Sequence, residues 1–135
     1  MNPEHYKILV VDDEQDIVNL LDRWLGFDYD VVGFSDPWKA LKTFKNEGFH
    51  LLITDLAMEG VDGFQFLKAV QTLKPHVSTI VMTAHKSLNN AVRAQQSGAD
   101  YIFFKPLDCD EFQSAVKTLY ERQNYWMGVL AHLSS

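Results

Sequence analysis

Five residues of this 135-residue chain have side chains suited to a single chemistry: Asp12, Asp13, Asp55, Thr83 and Lys105. Each stands at the end of a short apolar run, "KILVVDD" (7–13), "LLITD" (51–55), "STIVMT" (78–83) and "YIFFK" (101–105). A carboxylate is costly to bury unless it is paired or bound to a metal. If the three aspartates meet, each ionised pair about 4 Å apart costs roughly 4 kcal/mol at an effective dielectric near 20. Lys105 supplies one positive charge, too little for three carboxylates. A hard divalent cation restores the balance, and magnesium suits an all-oxygen site that also receives phosphate. There Asp55 is a carboxylate nucleophile able to form an acyl phosphate. The ammonium of Lys105 would neutralise charge on phosphoryl oxygens, and the Thr83 hydroxyl would donate to another. Singly, these residues have plainer roles: Asp13 as a helix cap, Thr83 as a loop cap, Lys105 as a solvated charge. Their joint occurrence after separate apolar runs is harder to assign to capping.

The elements that position them alternate in period. "KILVVDD" is a continuous β-branched run, the mark of a strand buried on both faces. Residues 14–26 change to helical spacing, with Ile17, Leu20, Leu21, Trp24 and Leu25 on one stripe and Gly26 as the stop. "YDVVGF" (29–34) is a second strand. A helix capped by Ser35 or Asp36, with Pro37 in its first turn, closes on Gly48 and turns Leu41 and Phe44 inward. "HLLITD" is a third strand, followed by a helix with Phe64, Leu67, Val70 and Leu73 as its buried edge. "STIVMTA" is a fourth strand, and the helix after it has only a thin stripe of Leu88, Ala91 and Val92. "YIFF" is a fifth strand, and a last helix starts near Asp108. Five βα units with crossovers of this length predict an α/β fold, a doubly wound five-stranded parallel sheet with helices on both faces. Ligands of such sheets bind outside the carboxyl ends of the strands. Asp12, Asp13, Asp55, Thr83 and Lys105 should therefore converge.

Bulk composition removes several classes. The chain is 47% hydrophobic and 22% charged, an ordinary globular balance. Asp and Glu outnumber Lys and Arg 18 to 12, and the basic residues are scattered, so direct nucleic-acid binding is not expected. Cys109 is the single cysteine, which excludes an internal disulfide and a CxxC site. The five histidines lack ligand spacing. "MNPEHYK" is no signal peptide, and no apolar run approaches the roughly 20 residues of a membrane helix. The expectation is a cytoplasmic protein with no membrane contact.

"ILVVDDE", "LLITDLAMEGVDG", "IVMTA" and "GADYIFFKP" resemble the hallmark segments of the response-regulator receiver domain of two-component signalling, the CheY-like family. The resemblance covers roughly residues 6 to 122. It implies strand order 2-1-3-4-5, the flavodoxin-like three-layer arrangement. It implies that Asp55 is phosphorylated by a histidine kinase or histidine phosphotransfer protein, and that the chain is a signalling switch rather than a conventional enzyme. It further implies magnesium held by Asp12, Asp13, Asp55 and the backbone carbonyl of Ala57, with Thr83 and Lys105 on the phosphoryl group. A cis Lys105–Pro106 bond is implied as well. Residues 1–122 would be the receiver, and 123–135 an extension of the last helix or the start of a linker.

Three features depart from that pattern or extend it. Ile102 stands three residues before the lysine, where the family usually has an aromatic, and Tyr101 should face the other way by strand alternation. Glu59 stands where a proline is common. In the last helix Phe112, Val116, Leu119, Gln123, Trp126, Leu130 and Leu133 alternate by four and three, the spacing of a coiled-coil seam. A homodimer through the last helix is therefore expected, with the face of the fourth helix, fifth strand and last helix as the alternative surface. Two other functions stand beside the switch: a receiver-like interaction domain that is never phosphorylated, and a magnesium-dependent phosphohydrolase with an aspartyl nucleophile. The second usually needs D-x-D after its first strand, where "VVDDEQD" has Asp12 and then Glu14. A flavodoxin-type cofactor site fits poorly with so acidic a first turn.

Overall fold

The computed structural model describes residues 1–134. Strands β1 (Lys7–Val11), β2 (Asp30–Phe34), β3 (Leu51–Asp55), β4 (Ser78–Thr83) and β5 (Tyr101–Phe104) form one sheet. Helices α1 (Gln15–Leu25), α2 (Pro37–Asn46), α3 (Gly63–Leu73), α4 (Leu88–Gln96) and α5 (Cys109–Ser134) connect and follow them. The order across the sheet is β2-β1-β3-β4-β5, with every pair parallel. This is the doubly wound arrangement read from the sequence, with β1, β3 and β4 buried on both faces.

Because side chains alternate across a strand, one run of apolar residues feeds two cores. Ile8, Val10, Ile53, Ile80 and Met82 pack with Leu21 of α1 and Phe112, Val116 and Leu119 of α5. Leu9, Val11, Leu52 and Val81 pack on the opposite face with Ala40, Phe44, Phe66, Leu67 and Val70. At a few kcal/mol for each fully buried Leu or Ile, these two layers supply the driving force that holds the strand ends in place.

Several helix faces are rotated from the expected ones. In α1 Val18 is buried while Leu20 is only half-buried. In α3 the buried residues include Phe66, whereas Leu73 is 49% exposed at the last turn. The stripe read in α4 is largely exposed, with Leu88 at 80% and Val92 at 40%, and only Ala94 is buried. The helix offers the sheet one small residue, so it lies on the surface by a narrow contact.

One feature was not readable beforehand. Ala57–Met58 and Val61–Asp62 form a two-residue antiparallel hairpin turned at Gly60, whose φ of +73° is in the glycine region. Helix α5 runs 26 residues without a break to Ser134, so residues 123–134 extend the last helix, one of the two courses expected for them. Among the described residues no helix is long and apolar enough to cross a membrane. Ser135 lies outside the described residues.

Candidate functional site

The five residues singled out by type and spacing meet at the carboxyl edge of the sheet. Asp12 follows β1 and is fully buried. One of its oxygens accepts from the Glu14 N–H at 2.9 Å, and the other accepts from the Lys105 ammonium at 2.7 Å. The same ammonium lies 3.4 Å from Asp55 Oδ2, so one cation spans two carboxylates from adjacent strands. Asp55 Oδ1 accepts from the Ala57 N–H at 3.3 Å. Asp13 is exposed, and its carboxylate accepts from the Glu59 N–H at 2.9 Å, which ties the hairpin to the first βα loop. Carboxylate oxygens of Asp12, Asp13 and Asp55 all lie within 4.8 Å of one another.

The neighbouring strand ends are stitched by backbone bonds. The Leu56 N–H donates to Met82 O at 2.9 Å, and the Lys105 N–H donates to Thr83 O at 2.9 Å. The Thr83 hydroxyl oxygen accepts from the His85 N–H at 3.0 Å and is buried. Gly63 opens α3 directly under this loop. A Cβ there would lie 2.4 Å from Leu56 Cα, so glycine permits the close approach that keeps the hairpin over the site.

The electrostatics follow from this geometry. Burial pushes the Asp55 carboxyl above the usual aspartate range, and the charge of Asp12 adds to it, against the opposing pull of Lys105 and the Ala57 N–H. Burial alone would lower Lys105, but its hydrogen bond to Asp12 and the charges of Asp12, Asp55 and Glu14 outweigh it and raise the ammonium above the ordinary lysine value. One ammonium among three carboxylates leaves a negative excess. The donors are all oxygen, which fits a hard divalent cation rather than a soft one.

Residues 8–117 match the family model described as "Response regulator receiver domain". The chain belongs to this receiver-domain family. It is 36% identical over 114 residues to "Transcriptional regulatory protein ZraR" of Klebsiella oxytoca, an alignment covering 84% of this chain and 26% of that protein. It is 33% identical over 121 residues to "Transcriptional regulatory protein GlrR" of Escherichia coli (strain K12), covering 89% of this chain and 27% of that protein. The receiver domain thus spans about a quarter of the length of these relatives. Among solved structures, the response regulator receiver domain protein (CheY-like) from Methanospirillum hungatei JF-1 superposes with a TM-score of 0.82 at 28% identity, covering 90% of this chain and 98% of that one. The Lys105–Pro106 bond of this receiver domain is cis.

The departure at Ile102 has a structural counterpart. Tyr101 and Phe103 stack on each other on the α1/α5 face, and Phe103 meets Phe112 at 5.0 Å between ring centroids. Ile102 packs in the other core layer, as alternation requires. The aromatic on its face is Phe104, in register with Thr83, and the Lys86 ammonium stands 5.8 Å from its ring. Sequence reading missed the N–H donors of Glu14, Ala57, Glu59 and His85. Backbone donors carry no residue-type signal, and the only local hint was the glycine of the 57–62 turn. Glu59 itself is exposed, and its contribution to Asp13 is through the main chain.

Proposed function

We propose that this receiver domain is a phosphorylation-dependent switch of a two-component phosphorelay, with Asp55 accepting a phosphoryl group from the phosphohistidine of a histidine kinase or histidine phosphotransfer protein. The observation that carries this reading is the Lys105 ammonium held between buried Asp12 and Asp55, with the Thr83 hydroxyl at the end of the next strand. A carboxylate oxygen of Asp55 attacks phosphorus, the P–N bond breaks, and its electron pair returns to the imidazole of the donor. Lys105 then contacts the phosphoryl oxygens, and Thr83, whose proton is donated to no group among the described residues, donates to another. Attack by water on the same phosphorus releases phosphate and restores the carboxylate. The chain thus catalyses its own modification and its slow loss, and turns over no separate substrate. Asp12, Asp13, Asp55 and the backbone carbonyl of Ala57 would hold magnesium, which supplies further positive charge against the phosphoryl oxygens.

The test is intact-mass measurement after incubation with magnesium and acetyl phosphate. Wild-type protein is expected to gain one phosphoryl group, and Asp55→Asn none. Equal gain by both would remove Asp55 as the acceptor.

Cation binding has its own readout. Saturating magnesium should raise the thermal midpoint by roughly 10 °C, since about 100-fold excess over Kd adds about 2.7 kcal/mol. Asp13→Ala should abolish most of that rise, because Asp13 is the site carboxylate open to solvent. A midpoint indifferent to magnesium in the wild type would exclude the cation.

Residues 1–122 form the switch on this reading, and 123–134 extend its last helix. Exposed Leu88 and Val92 of α4, which packs against β5, supply a face for a homodimer of the phosphorylated form. Sedimentation should show a monomer shifting toward dimer when beryllofluoride and magnesium are added. Leu88→Asp should keep it monomeric. A sedimentation coefficient unmoved by beryllofluoride would remove this interface.

A further inference from the structure

The far end of the sheet carries a second cleft. β3 and β4 begin there and end at Asp55 and Thr83, so the two sites are separated by the length of a strand, roughly 15 Å. Helix α5 overhangs this edge. Gln123 still touches the body, donating from its amide to His50 O at 3.0 Å. Beyond it Trp126, Met127 and Leu130, all still largely exposed, line with Phe49 and Val77 a half-open cleft of about 390 Å³. The seam spacing of the last helix therefore continues the stripe that packs on the sheet, past the point where the sheet ends.

Three observations say what the cavity is suited to. Its size lies within the range of about 300–1,000 Å³ usual for small-molecule sites, and its walls are aromatic and aliphatic. Its lining carries positive charge in a protein of net charge −6: Lys74 and Arg122 are among its residues, and no Asp or Glu is among the described residues that line it. Arg122 shares its charge with Asp100 at 2.8 Å, whereas Lys74 pairs with no carboxylate among the described residues. The field at the mouth registers on His50, whose imidazole is lowered first by burial and then by the charges of Lys74 and Lys7. Finally, the side-chain oxygen of Gln123 is buried beside the cavity without a hydrogen-bond partner, an acceptor that a carboxylate cannot satisfy and that a water carried in with the guest would.

We propose that this cleft binds a small amphipathic monocarboxylate, its apolar body against Phe49, Val77, Trp126 and Leu130 and its carboxylate at Lys74. An apolar wall alone would take any hydrophobe. The uncompensated ammonium at the rim selects the anion, since a charge of the same sign would be repelled and a neutral head would gain nothing there. The site is independent of phosphoryl chemistry at Asp55.

Octanoate is the probe, with octanol and octylamine as neutral and cationic counterparts of the same tail. Calorimetry should give a saturable Kd of roughly 1 mM or tighter for octanoate, about tenfold weaker binding of octanol, and none of octylamine. In nitrogen-15 spectra octanoate should move the Trp126 indole and the Val77 and Gln123 amides, leaving those of Asp13 and Thr83 in place. Lys74→Glu should weaken octanoate about tenfold without changing octanol. Leu130→Glu, at a position 63% exposed and therefore safe for folding, should lose both. Asp55→Asn should bind octanoate as the wild type does, which separates this outcome from that of the phosphorylation test. Equal affinity for octanoate and octanol, indifference to Lys74→Glu, or shifts outside the cleft would each overturn the proposal. So would a concentration-dependent dimer that protects the Trp126 and Leu130 signals, because the occupant would then be a second copy.

Discussion

Replacing Lys105 with methionine should lower the unfolding free energy by about 3 kcal/mol at neutral pH and slow phosphoryl uptake about a hundredfold. The ammonium stands 2.7 Å from Asp12 and 3.4 Å from Asp55, with the lysine side chain 11% exposed and Asp12 fully buried. Methionine keeps the stem's packing and deletes the charge, which leaves two buried carboxylates facing each other without a counter-ion. Lys105 is raised in the folded state, so its contribution is complete below the ordinary lysine value and lost only as alkaline pH passes the raised one. At neutral pH the full contribution is at stake. In the variant the strain resides in the carboxylates, so the loss should shrink as acid protonates them. Urea midpoints at pH 7 and near pH 4.5 measure both effects, and magnesium should restore part of the loss at pH 7. A variant as stable as the wild type at neutral pH would show that the ammonium is not what neutralises the site.

Asp55→Asn should do the opposite to stability while abolishing phosphoryl uptake. The Asp55 carboxyl is raised by burial first and by the Asp12 charge second. A group raised in the folded state adds stability below its unfolded value and loses it as pH rises through the folded one. At neutral pH the ionised carboxylate is therefore a net cost, outweighing what Lys105 returns to it. Asparagine keeps the shape and removes the charge, and Lys105 retains Asp12 at 2.7 Å. The expected gain is about 1 kcal/mol, or roughly 3–5 °C in thermal midpoint without magnesium. It should disappear below about pH 4, where the wild-type group is itself protonated. Thermal unfolding across that range decides the matter, and a variant less stable than wild type at pH 7 would mean that the Lys105 pairing outweighs burial. The cost would then have to be sought at Asp12.

These two substitutions divide what was legible from what was not. The apolar runs of β1, β3 and β4 and the helical spacing of α1, α2 and α3 are local properties, readable because a strand repeats every two residues and a helix every 3.6. Once the order of elements is known, chirality and short crossovers leave few topologies, so Asp12, Asp13, Asp55, Thr83 and Lys105 were bound to reach one edge. The sequence by itself therefore determined the fold class and which side chains meet. Only the tertiary structure decided how they share charge: Lys105 sits nearer Asp12 than Asp55, across 93 residues of chain, while Asp13 stays in solvent on a backbone donor from the hairpin. The same holds for the exposed face of α4 and for the cleft under α5, where residues 49, 74, 77 and 126 come together. Periodicity records which face of an element avoids water, and it is silent on which distant group arrives to cover that face. That is settled by packing among elements, where distances of an ångström decide whether two charges neutralise each other.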